Sequence, residues 1–137
     1  MRLADILGLK TIQPISREKA LRLCKKAALF RSMSNAALSD LIDESSQTIY
    51  DAETIIVRQG DRADKVYMVL SGRVRVVYEE SQKEVSVADL GPGDVFGEMA
   101  VLEAQPRSAN VVTLERTNCL EVPGAVFMAA LKQSRQS

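Results

Sequence analysis

The 137 residues are 46% hydrophobic and 26% charged, with 18 basic and 18 acidic side chains and no histidine, enough for one compact domain with its own core. Balanced charge removes the electrostatic case for nucleic acid or acidic lipid as a bulk partner. The absence of imidazole removes Ser-His-Asp and Cys-His catalysis and His-ligated metal chemistry, so only carboxylate, lysine or backbone chemistry would remain for an enzyme.

The charge is unevenly placed. Residues 1–33 carry eight basic and two acidic side chains against ten and sixteen in the remainder, a cationic N-terminal helical arm ahead of an anionic body that runs from 34 to 137. Cys24 and Cys119 have no CxxC spacing and read as buried free thiols of a reducing compartment. No run approaches the roughly 20 apolar residues of a membrane span. Residues 1–12 are broken by Arg2, Asp5 and Lys10, unlike a signal peptide, and the expected location is the cytoplasm.

In chain order, Gly8 and Pro14 rule out a long helix over residues 1–15 and leave room for one short turn near Leu3–Leu9. From Ser16, a fitting N-cap, the residues Ala20, Leu23, Cys24, Ala27 and Ala28 form the apolar stripe of an amphipathic helix, with Arg22, Lys25 and Lys26 on a solvated face. A second helix is expected from Asn35 to Glu44, capped by Ser34, with Ala37, Leu38, Leu41 and Ile42 on one side.

After it the period drops to two. Seven short β-branched runs follow: Thr48–Tyr50, Thr54–Val57, Val66–Leu70, Val74–Tyr78, Val85–Ala88, Asn110–Thr113 and Cys119–Val122. Turn chemistry separates them at Asp51–Glu53, Gln59–Asp61, Ser71-Gly72, Glu79–Lys83, Gly91–Asp94 and Glu115–Asn118. Evenly spaced short strands with glycine turns predict a mainly β fold, an antiparallel roll, sandwich or barrel with flanking helices. In Val74-Arg75-Val76 the valines should face inward and the arginine outward. Pro123 suits the first position of a final helix whose apolar face is Val126, Phe127, Ala130 and Leu131; residues 132–137 carry no further periodic signal.

The stretch Phe96–Ala109 concentrates the chemistry. Gly97 lets a ligand or another backbone come close. Glu98–Leu102 can form one helical turn whose free amides, including those of Met99 and Ala100, favour an anion. Arg107 supplies a planar cation able to bond two phosphate oxygens, and small Ser108 and Ala109 leave their own amides accessible. Glu98 would be repelled by a phosphate unless it has its own donor, which a ribose 2′-hydroxyl would provide. Taken singly, each residue also fits an ordinary surface role, such as a helix-start carboxylate or an exposed ion-pair arginine.

The sequence Phe96-Gly97-Glu98-Met99-Ala100 followed by Pro106-Arg107-Ser108-Ala109 resembles the phosphate-binding cassette of cyclic nucleotide-binding domains. The similarity covers about Leu29–Leu131, including Gly60-Asp61, Tyr67–Gly72 and Leu90–Asp94. It implies an eight-stranded antiparallel β-roll of double-stranded jelly-roll type, with N-terminal helices and a C-terminal helix. It further implies that Glu98 holds the ribose 2′-hydroxyl and Arg107 the cyclic phosphate, while the amides of Gly97, Met99, Ala100, Ser108 and Ala109 complete the cradle. Val76, Val87 and Ala88 match pocket-lining positions, and Asp64 matches an acidic residue that orients the arginine.

Asn110 departs from the family's usual threonine or serine, and the residue that caps the purine has no match. The resulting expectation is a non-enzymatic sensor without a cofactor. Its ligand would be cAMP in preference to cGMP, and it would signal to an unknown effector domain or protein. No helix-turn-helix occurs, so no direct DNA binding is expected; the oligomeric state stays open, with a homodimer among the options. The alternative is a β-roll protein-interaction module with a different small ligand or none.

Overall fold

The computed structural model describes residues 13–136, without the side chains of 135 and 136; the short turn expected near Leu3–Leu9 lies outside the described residues. The order of elements is α1 (Arg17–Lys26), α2 (Asn35–Asp43), β1 (Ser46–Tyr50), β2 (Ile55–Val57), β3 (Lys65–Ser71), β4 (Val74–Glu80), β5 (Lys83–Leu90), β6 (Val95–Phe96), α3 (Glu98–Leu102), β7 (Asn110–Thr113), β8 (Thr117–Pro123) and α4 (Gly124–Gln136). The eight strands form two four-stranded sheets, ordered β1-β8-β3-β6 and β2-β7-β4-β5, with antiparallel pairing throughout. This is the β-roll with flanking helices that the resemblance implied.

Both N-terminal helices start where a serine can take up an orphan amide. The Ser16 side chain accepts from the Lys19 amide at 3.2 Å and that of Ser34 from the Ala37 amide at 3.1 Å, each cap contributing on the order of 1 kcal/mol. Helix α1 stops at Lys26 because Ala27 turns extended, at ψ 128°. Ala27 is still buried, but Ala28 leaves the stripe and is exposed.

Strand β3 is buried along Val66–Leu70 because both its faces are covered. Val66, Met68 and Leu70 join Leu120 and Val122 beneath the helices, together with Ala20, Cys24, Phe30, Leu38, Leu41 and Phe127. Tyr67 and Val69 face the other way, with Cys119, into the space between the sheets alongside Val57, Val74, Phe96 and Val111. In the helical core Phe30 and Phe127 meet edge to face, with ring centroids 6.2 Å apart, a favoured aromatic geometry. Residues 17–33 thus share a core with the body of the roll.

Several sequence expectations change at element ends. Pro123 is the last residue of β8, opposite Lys65, and the helix begins at Gly124. That helix continues to Gln136 although its last turn lacks an apolar pattern. The eighth strand, Val95–Phe96, is too short to show a period and is recognised only through its pairing with Tyr67 and Met68. Val77 is buried along with Val74, breaking the simple alternation of β4; Arg75 is half-buried and bonds Asp89 through two contacts of 2.7 and 3.0 Å. The register of β4 with β5 jumps from Val76↔Ala88 to Val77↔Ser86, leaving Val87 as an extra, bulged residue.

Both thiols lie at 0% exposure, and burial pushes Cys24 up to about 11 and Cys119 up to about 12. The unfolded chain releases the same protons near ~8.5. Their contribution is therefore complete below that pH and is lost as pH rises through the folded values. Urea titrations should show stability falling from pH ~9 upward, and a thiol reagent at pH 8 should leave the native protein unlabelled. Rapid labelling of both cysteines without unfolding would contradict this burial.

Candidate functional site

The turn from β6 into α3 is made by Gly97, whose φ of 82° belongs to the left-handed region that a side chain resists. A second reason for glycine is steric: a Cβ here would lie 2.4 Å from Arg107 Nη1. Helix α3, Glu98–Leu102, follows directly. The amides of its first turn, Met99 and Ala100 among them, have no acceptor within the helix. Its far end closes through the Glu103 amide on the Met99 carbonyl and the Gln105 amide on the Ala100 carbonyl, at 2.9 and 3.0 Å.

Arg107 is fixed at both ends. Its amide donates to the Asp61 carbonyl and its carbonyl accepts from the Gly60 amide, each at 2.8 Å, so the loop between β2 and β3 holds its backbone. Its side chain turns inward, and the residue is 5% exposed. Nη1 donates to the Gly97 carbonyl at 2.8 Å and Nη2 to the Lys65 carbonyl at 2.7 Å. The guanidinium carbon also lies 5.6 Å from the centre of the Tyr67 ring. Among the described residues it has no ion-pair partner.

These groups surround a cavity of about 240 Å³ lined by Val57, Val76, Leu90, Val95, Phe96, Gly97, Glu98, Met99, Ala100, Arg107, Ser108, Ala109 and Val111. It is smaller than the roughly 300–1,000 Å³ of enclosed small-molecule sites, so a nucleotide would be only partly enclosed here. A groove of about 340 Å³ between α2 and α4 is larger, but it is lined by small apolar and acidic residues with no buried cation. The chemistry, not the volume, singles out the Arg107 cavity.

The structure thus brings together Gly97, Glu98, Met99, Ala100, Arg107, Ser108, Ala109 and Val76, eight of the positions expected from the sequence. Val87 and Ala88 do not line the cavity: both are exposed on β5, Val87 at 63%, beside the bulge. Asp64 is exposed, and its side chain makes no hydrogen bond or ion pair among the described residues; its carbonyl instead accepts from the Gly124 amide at 2.8 Å. Val57, Leu90, Val95 and Val111 are lining residues that were not singled out; Val57 and Val111 lie in runs read as strands, whereas Leu90 and Val95 flank the Gly91–Asp94 turn and carried no periodic signal. Asn110, the departure from the family pattern, is buried and well used: Oδ1 accepts from the Gln59 amide at 2.7 Å and Nδ2 donates to Glu79 at 2.9 Å.

Comparison with known proteins agrees with this geometry. A profile of the cyclic nucleotide-binding domain matches residues 47–134, more than half of the chain. A cAMP-dependent protein kinase regulatory subunit of Dictyostelium discoideum is 32% identical over 102 residues, covering 72% of this chain and 31% of that protein. A cGMP-dependent protein kinase of Caenorhabditis elegans is 34% identical over 91 residues, covering 64% of this chain and 11% of that protein. The chain therefore spans less than a third of either relative's length. Among solved structures, the regulatory domain of Toxoplasma gondii protein kinase A, crystallised with cAMP, superposes with a TM-score of 0.83 at 30% identity, covering 86% of this chain and 45% of that one. The matched stretch is a regulatory, ligand-binding module and not a catalytic one. A roll whose inner cavity ends on a glycine turn, a short helix and a buried arginine, matched by that profile along most of its length, places this chain in the cyclic nucleotide-binding domain family.

Proposed function

We propose that this chain is a sensor for a cyclic purine nucleotide, cAMP in preference to cGMP, and that it reports occupancy by moving its flanking helices. The observation that carries the reading is Arg107, a 5%-exposed cation that borders the cavity and has no carboxylate partner among the described residues. A buried charge of this kind is strongly destabilising until an anion joins it. The guanidinium has five N–H donors, and two are engaged by carbonyls, which leaves three for a phosphate. Glu98 borders the same cavity and would be repelled by that phosphate, so a ribose hydroxyl is the donor that suits it.

The preference for cAMP rests on relatives: the Dictyostelium protein is named for cAMP and the Toxoplasma domain was crystallised with it, while a cGMP-dependent kinase matches as well. The route to the helices is short. Arg107 grips the Lys65 carbonyl, and the carbonyl of the preceding residue, Asp64, accepts from Gly124, the first residue of α4. A Cβ on Gly124 would lie 3.3 Å from Val101 of α3, so the root of α4 touches both the loop entering β3 and the helix of the site. A phosphate that draws Arg107 and α3 together would bias the position of α4 by its differential affinity for the two arrangements. The effector is proposed to be a separate domain or protein, and the two buried free thiols suit a reducing, cytoplasmic setting.

Calorimetric titration should give saturable binding of cAMP and weaker binding of cGMP. No heat and no thermal shift with either would overturn the reading and leave an interaction module. Arg107→Leu should weaken binding by ~2–5 kcal/mol, the cost of truncating one partner of a buried charge pair; unchanged affinity would place the ligand elsewhere. Glu98→Gln should weaken cAMP more than 2′-deoxy-cAMP, and equal losses for the two ligands would remove the ribose role.

A further inference from the structure

The resemblance assigned the orientation of Arg107 to the carboxylate of Asp64, yet that side chain is exposed and bonds nothing among the described residues. What the guanidinium meets is an aromatic face. Its carbon stands 5.6 Å from the Tyr67 ring centre, inside the roughly 6 Å reach of a cation–π contact. Tyr67 is 6% exposed on the central strand β3 and is itself held: its ring stacks on that of Phe96, its partner in the β3–β6 pairing, with centroids 4.9 Å apart and planes 5° from parallel. Burial raises the Tyr67 hydroxyl above its ordinary value and Glu121 adds to this, while the positive charge of Arg107 opposes it.

We propose that Tyr67, backed by Phe96, is the positioning residue of the phosphate-binding arginine in this chain. The inference rests on Arg107 being the phosphate ligand, as proposed above. A ring face and two carbonyl dipoles hold a guanidinium in place without cancelling its charge. An adjacent carboxylate would neutralise part of that charge and repel the incoming anion. The arginine therefore meets a phosphate already aimed and fully cationic, and little side-chain entropy is lost at the moment of binding.

The test is a double-mutant cycle in cyclic nucleotide affinity, with thermal unfolding measured alongside. Tyr67→Leu should weaken cAMP binding about tenfold, between the sizes of an exposed and a fully desolvated cation–π contact, and Tyr67→Phe, which keeps the ring, should restore it to within about twofold. In an Arg107→Leu background the same Tyr67→Leu change should cost no further affinity, although it lowers the unfolding temperature in both backgrounds. A purely structural tyrosine would instead cost the same factor with or without Arg107, and that result overturns the proposal. So does a loss on Asp64→Asn that matches the loss on Tyr67→Leu. Should Tyr67→Leu fail to fold, Phe96→Leu carries the same cycle: it should give a smaller loss that vanishes without Arg107, and a loss that persists overturns the proposal. Wild-type protein that binds neither cAMP nor cGMP overturns the ligand reading and the role of Tyr67 with it. Wild-type binding beside a Tyr67→Leu protein of equal affinity overturns the positioning alone.

Discussion

Burying the Arg107 guanidinium without a carboxylate beside it costs on the order of several kcal/mol, and the elements around the site are placed so as to bear that cost. The loop between β2 and β3 clamps the arginine backbone through Gly60 and Asp61. Gly97 adopts a left-handed φ and gives up its Cβ, which frees both the space and the carbonyl that Nη1 needs. The start of β3 offers the Lys65 carbonyl, and the Tyr67 ring, itself stacked on Phe96, meets the guanidinium. Each of these contacts is a dipole or a quadrupole, so the net charge stays positive and the cavity keeps its demand for an anion.

The same strand that bears this load ties it to the rest of the molecule. Residues Val66, Met68 and Leu70 of β3 pack into the helical core, and Tyr67 and Val69 into the core between the sheets. The strand that contacts the arginine through Lys65 and Tyr67 therefore has both its faces packed. The helical side includes Phe127 of α4 and Phe30 before α2, in direct ring contact, so the C-terminal helix leans on the N-terminal segment. A further polar tie joins that segment to the sheet: Gln47 bonds the backbone of Ile15 through both its amide oxygen and nitrogen and accepts from buried Asn118. The segment from Ile15 to Phe30, helix α4 and the strand beside the Arg107 cavity are thus joined through packed contacts.

Much of this was legible in residue order because it depends on short-range chemistry. Ser16 and Ser34 marked helix starts since a hydroxyl reaches an amide three residues on. Ala37, Leu38, Leu41 and Ile42 marked one helix face, and all four are buried. Seven strands were visible in β-branched runs, whereas Val95–Phe96 was not, because two residues show no period. The hairpin between β4 and β5 was equally opaque in detail: Ser81 and Gln82 take positive φ values of 51° and 65° without the asparagine or glycine that usually announces such a turn.

For the site, the order Gly97-Glu98, then Arg107-Ser108-Ala109, marked one end of a cavity through the family resemblance; the glycine turn and short helix are local, whereas the burial of Arg107 depends on Gly60, Asp61, Lys65 and Tyr67, far away in sequence. What lay across the cavity was decided by register between strands distant in sequence. Val87 is the bulged residue, and Ala88, though paired with Val76, lies exposed on the edge strand β5 outside the lining, while strand pairing brought Val57, Leu90, Val95 and Val111 in. It also seated Tyr67, and not Asp64, beside the arginine. The sequence by itself determined the helix caps and the alternating strands, because these depend on steric and hydrogen-bonding preferences within a few residues, and its family resemblance marked the anion-seeking stretch. Only the tertiary structure decided which side chains meet the guanidinium, because a one-residue shift in a ladder reverses the face a side chain occupies.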